Sequence, residues 1–136
     1  MSGFLLDTNV VSELFRREPH PAVSRWWRQT NAQSFVSVLV LGELRRGVER
    51  IAPRDPARAA ILDERVSGIA RDYADRTLPV TTEIADVWGR LSATRAAPPV
   101  DGLLAATALV HGLTLATRNV KDVEGLDVPF VDPFAG

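Results

Sequence analysis

Four acidic side chains stand where a folding chain does not ordinarily put a carboxylate. Asp7 closes the apolar run of FLLDTN, residues 4–9. Glu43 sits inside VLVLGEL, residues 38–44, among Leu39, Val40 and Leu44. Asp101 opens the most apolar stretch of the chain, VDGLLAATALV, and Asp122 lies in ATRNVKD just after another apolar run. Each has a simple explanation on its own. Asp7 and Asp101 can accept hydrogen bonds at helix N-termini. Asp122 can be a solvated loop acid. Glu43 can pair with Arg46 one turn on, because burying a bare carboxylate costs several kcal/mol. Gathered in one place, the four would repel and some would take up protons. A hard divalent cation relieves that repulsion, and Mg²⁺ or Mn²⁺ suits a few carboxylate oxygens plus water. Such an ion activates a water and offsets charge on a phosphoryl oxygen, which is the chemistry of phosphodiester hydrolysis without a covalent protein intermediate.

Other chemistries lack their residues. The 136-residue chain has no cysteine, so thiol nucleophiles, disulfides and zinc–cysteine sites are out. That composition fits a reducing compartment, and the expectation is a cytoplasmic protein. His20 and His111 have no metal-ligand spacing; His111 reads as a helix C-terminal or core-edge residue. There is no G-x-S-x-G elbow and no G-x-x-x-x-G-K-[ST] phosphate loop. The N-terminal apolar run is short and lacks a basic flank, which argues against a signal peptide. No stretch approaches the ~18–20 apolar residues of a membrane span. Net charge is -1, without the basic excess common in nucleic-acid binders. Fifteen arginines stand against a single lysine, Lys121, and arginine is the better fork for phosphate.

The acids need elements to position them. Short apolar runs at 4–6, 34–36, 113–116 and 128–131, and a weaker one at 78–80, read as strands buried on both faces. Helical patterns fill the gaps: 10–17, 21–30 with proline at its start, 37–51 with Ser37 as N-cap, and 57–76. Another helix starts at Thr81 or Thr82 and is stopped by Pro98-Pro99. The last, 101–111, is apolar nearly all round and therefore buried. Strand and helix alternate, which predicts one α/β domain with a mostly parallel sheet of four to five strands between helices. In such sheets the ligand crevice lies beyond the carboxyl ends of the strands. Asp7 and Asp122 follow strands, and Asp101 starts a helix that faces the same edge.

These residues resemble the PIN-domain ribonucleases, and in particular the VapC-type toxins of toxin–antitoxin pairs, the subgroup that includes FitB-like proteins. The resemblance runs in order through LLDTNVVSEL (5–14), SVLVLGELRRGVER (37–50), LPV (78–80), VWGRLSA (87–93), VDGLLAATALVHGLTLATRN (100–119) and VPFVDPF (128–134). It implies a PIN-like three-layer sandwich and a metal-dependent endoribonuclease neutralised by a cognate VapB-type antitoxin. The family's acidic quartet falls on Asp7, Glu43, Asp101 and Asp122. By resemblance Asp7 and Asp101 bind Mg²⁺ or Mn²⁺ directly, and Glu43 binds through water or acts as a base. Thr8, Asn9, Thr117 and Asn119 take the place of groups that orient carboxylates or water. Arg16, Arg45 and Arg46 flank the Asp7 and Glu43 segments, where RNA phosphates or the antitoxin would be held. A homodimer is usual in these toxins, and Trp26, Trp27 and Trp88 are candidates either for its apolar contact or for the core. Relatives usually carry an aromatic after the fourth acid; here it is Val123.

Two other readings belong to different classes. A catalytically silent binding protein of the same fold has no reason to tolerate four mutually repelling acids. A phospho-receiver domain wants adjacent acids after its first strand, whereas Asp7 stands alone.

Overall fold

The computed structural model describes residues 3–135. Five strands form one sheet: β1 (Phe4–Leu6), β2 (Ser34–Ser37), β3 (Thr77–Leu78), β4 (Thr114–Ala116) and β5 (Phe130–Val131). They lie in the order β3-β2-β1-β4-β5, and every neighbouring pair is parallel. Parallel neighbours require crossovers, and helices supply them. α1 (Thr8–Leu14) and α2 (Pro21–Thr30) link β1 to β2. α3 (Val38–Ile51) and α4 (Pro56–Asp72) link β2 to β3. α5 (Thr82–Thr94) and α6 (Pro99–His111) link β3 to β4, and α7 (Val120–Val123) precedes β5. β1 is central, with Leu5 in register with Phe35 on one side and Leu115 on the other. The chain winds outward from β1 in one direction, then returns to lay β4 and β5 on its other flank. The strand order therefore reverses between β1 and β4.

The core is built around those two strands. Leu5, Leu6, Leu115 and Ala116 are buried, and Leu104, Ala105 and Ala108 of α6 are fully so. Small residues on α6 let it lie close to its neighbours. At Gly102 the approach is close: a Cβ would stand 3.0 Å from both Cδ1 and Nε1 of Trp88 on α5. Replacing Gly102 by alanine forces the indole outward. The expected destabilisation is about 1–3 kcal/mol, read as a lower urea midpoint with an unchanged slope.

The local signals explain the boundaries. Ser37 caps α3 by accepting from the Leu39 N–H at 3.1 Å. Pro21 and Pro99 fall at the first helical position, where the missing N–H costs nothing. The Pro98-Pro99 pair thus opens α6 rather than merely stopping α5, which ends at Thr94. α1 begins at Thr8 because Asp7 caps it, and it ends at Leu14, short of residue 17. α4 ends at Asp72, where buried Tyr73 turns the chain toward β3. β3 stops at Leu78: Pro79 has no N–H for the ladder, and Val80 is exposed. α7 forms where the sequence suggested only a loop after β4, and the smaller Val123 is buried within it. The helix 101–111 is capped not by His111, which is exposed, but by Gly112 at a φ of 66°.

Trp26 and Trp27 are half-buried and pack against the core, while Trp88 is half-buried beside Gly102. Trp26 meets Phe4 edge-to-face at 5.1 Å. Trp27 donates to the Tyr73 hydroxyl at 3.3 Å, which in turn donates to Asn31 Oδ1 at 2.8 Å.

Candidate metal centre

The reversal between β1 and β4 places two loops side by side at the carboxyl edge of the sheet. Asp7 leaves β1 there, and its backbone N–H still bonds the Ala116 carbonyl at 2.9 Å. Its side chain faces inward and is 5% exposed. Oδ1 accepts from the Thr8 N–H at 2.7 Å, capping α1. Oδ2 accepts from the Thr117 hydroxyl at 2.7 Å and from Asn9 Nδ2 at 3.2 Å. Asn9 Oδ1 takes the Arg118 N–H at 3.1 Å, and Thr117 Oγ1 takes the Asn119 N–H at 3.0 Å. Asp7, Asn9 and Thr117 thus pin the first loop of the site to the last. Asn119 joins through its backbone; its side chain is exposed.

Glu43 reaches the same place from the second turn of α3. Oε1 accepts a hydrogen bond from the Thr8 hydroxyl, and Oε2 lies 3.5 Å from Arg46 Nη2. The simple ion-pair explanation for Glu43 and its position beside Asp7 are therefore both real. Asp101 stands in the first turn of α6, and Asp122 is an exposed residue of α7.

Electrostatics shows that the four acids share one neighbourhood. Asp101 is pushed up to about 6, first by burial and then by the charges of Asp7, Asp122 and Glu43, with a hydrogen bond to Asp122 favouring its protonated form. Asp7 is also raised, chiefly by burial and further by Glu43; its bonds from Thr117, Thr8 and Asn9 pull the other way. Among the described residues, no three acidic or histidine side chains are close enough to make a ready cage for an ion. The acids converge without closing. As a donor set they fit a hard cation that keeps part of its shell as water, and burial, reinforced by their mutual charge, raises the affinity of Asp7 and Asp101 for protons.

Beside the acids runs a groove of about 550 Å³ between α1, α3 and α4, with Thr8 and Glu43 among its lining residues and Leu44, Val48, Leu62 and Val66 along its apolar wall. Arg16 lies on this groove, within 3.5 Å of Glu13. Arg46 is the partner of Glu43. Arg45 is turned elsewhere: it pairs with Asp63 of α4 at 2.6 Å and approaches Glu49 at 3.8 Å.

Two residues escaped the sequence reading. Glu13 is 7% exposed and accepts the backbone N–H of His20 at 2.8 Å, tying down the segment between α1 and α2. Its signal was present, since Glu13 falls three residues after buried Val10 on one helical face. Arg118 has no such periodic cue.

The PIN domain matches residues 4–122. The VapC ribonuclease Y4jK of Sinorhizobium fredii is 31% identical, over 96% of this chain and 96% of that protein. Toxin FitB of Neisseria gonorrhoeae is 31% identical over 96% of this chain and 97% of its own length. The crystal structure of FitAcB from Neisseria gonorrhoeae superposes with a TM-score of 0.87 at 31% identity, covering 96% of this chain and 98% of that one.

Proposed function

The chain belongs to the PIN domain family, and from that premise we propose that it is an endoribonuclease toxin of a toxin–antitoxin pair, dependent on Mg²⁺ or Mn²⁺. The observation that carries this reading is the gathering of the acids at one sheet edge: Asp7 held by Thr117, Asn9 and Thr8, Glu43 on the Thr8 hydroxyl, and Asp101 close enough that, after burial, the charges of the other three raise its proton affinity. A ribonuclease and a toxin of the same length and about the same identity support it.

Asp7 and Asp101 would hold the ion, with Glu43 and Asp122 beside them. When bound, the ion supplies an activated water and offsets charge on the phosphoryl oxygen. The chain's own part is orientation. Thr117 and Asn9 fix Asp7 Oδ2, and the Thr8 N–H fixes Oδ1. The Thr8 hydroxyl anchors Glu43 through Oε1 while Oε2 faces Arg46, which orients the carboxylate to bind the ion through water or to act as a base. The groove beside Glu43 would receive the cognate antitoxin's C-terminal segment, with Arg16 as a polar contact. A cytoplasmic location and a homodimer belong to the same reading. No described helix is long and apolar enough to cross a membrane.

Mapping of cleavage ends on total cellular RNA after brief expression tests this, with Asp7→Asn as control. New ends in the parent alone support the ribonuclease; their absence removes it. The outer bonds have their own test. Thr117→Val keeps the shape of a fully buried side chain but deprives Asp7 Oδ2 of a donor and the Asn119 N–H of an acceptor. Cleavage should fall roughly 10–100-fold, and stability by about 1–3 kcal/mol, measured by initial rates and urea unfolding.

A further inference from the structure

We propose that Arg118, stacked on Phe134 and one residue beyond Thr117 of the acid site, holds a phosphate of the RNA strand beside the bond to be cut. It would be a positioning residue for substrate, and the assignment rests on the ribonuclease reading above.

A pocket of four carboxylates repels a polyanion, so a cation at its edge must offset the field. The other candidate arginines have carboxylate partners: Arg46 with Glu43, Arg16 with Glu13, and Arg45 with Asp63. Among the described residues Arg118 makes no ion pair, and it is exposed. Its backbone is fixed to the site, since its N–H donates to Asn9, whose amide donates to Asp7.

The side chain is held as well. Its guanidinium carbon lies 4.5 Å from the centre of the Phe134 ring. That ring is set from another side by His20, edge-to-face at 5.7 Å, and the Phe134 N–H bonds Asp132 Oδ1 at 2.9 Å. A guanidinium lying over an aromatic ring keeps its in-plane N–H groups available, and these form the fork that matches a phosphate. Ordering the fork beforehand reduces the entropy lost on binding. Such a contact fixes the register of the strand without reading its bases.

The test uses the full chain carrying Asp7→Asn, so that RNA binds uncut. The probe is a fluorescent single-stranded polyuridine of about 16 nucleotides, titrated across a range of salt. Adding Arg118→Gln, which keeps much of the stem over Phe134, should weaken binding about tenfold and lower the slope of log K against log salt by about 0.7. Arg118→Lys should keep the slope with a smaller loss of affinity. With Asp7 intact, Arg118→Gln should raise KM more than it lowers kcat. An unchanged affinity and slope in Arg118→Gln overturns the inference, even if the thermal midpoint drops; the stack would then be a clip for the C-terminal segment. If the Asp7→Asn parent binds no RNA and the unmutated protein cuts none, the ribonuclease reading falls and this inference with it.

Discussion

Asparagine in place of Asp7 should remove RNA cleavage and growth inhibition while the fold persists. The loss should exceed the roughly 10–100-fold expected for an outer hydrogen-bonding partner, because in the proposed site Asp7 would offer the ion its oxygens directly. Two effects on stability oppose each other. Burial already disfavours the charged Asp7, so a neutral amide relieves that cost. Yet both groups facing Oδ2, the Thr117 hydroxyl and the Asn9 amide, are donors. Asparagine therefore keeps its carbonyl oxygen toward Thr117 and Asn9 and turns its NH₂ to the Thr8 N–H, losing one hydrogen bond, worth about 1 kcal/mol. The thermal midpoint in the absence of metal should therefore stay close to that of the parent, as read by circular dichroism. A folded Asp7→Asn protein that cuts RNA at the parental rate would take Asp7 out of the chemistry.

Removal of divalent cations has the second large effect. EDTA should stop cleavage, and Mg²⁺ or Mn²⁺ should restore it. The ion's influence on stability carries a pH signature. Asp101 holds its proton up to about 6 in the folded chain, against an ordinary value of 3.8, and Asp7 is shifted the same way. Between those two pH values the native state binds more protons than the unfolded chain. Their contribution to metal-free stability is therefore fully present below the ordinary value and is lost as pH rises through 6. Because the ion must displace the proton, its stabilisation should grow across that same window. Melting curves with and without Mn²⁺ at several pH values measure it. A shift independent of pH, or cleavage indifferent to EDTA, would contradict the carboxylate site.

Much of this was legible in the residues. Apolar runs flanked by caps gave β1 and α2 with their observed ends, and Ser37 marked the start of α3. Acids placed against apolar sequence were visible as anomalies, because buried charge needs a reason wherever it occurs. Other features depend on tertiary context. Whether Glu43 faces the site or only Arg46 could not be read from spacing, since one carboxylate has two oxygens and here each has its own neighbour. Arg45 follows Glu43 by two positions, yet helix geometry turns it toward Asp63. α7 is too short to show a period, so Asp122 looked like a loop residue. The stack of Arg118 on Phe134 joins residues from different loops, which no local pattern announces.

Thr117 completes Asp7 across 110 positions of sequence. Contacts that distant close late. During synthesis, the ribosome therefore extrudes Asp7, Glu43 and Asp101 before the residue that steadies the first of them. A nascent chain arrested ahead of β4 would carry most of the acids but not the assembled pocket. Any activity that needs the assembled pocket would thus wait until the last strands emerge.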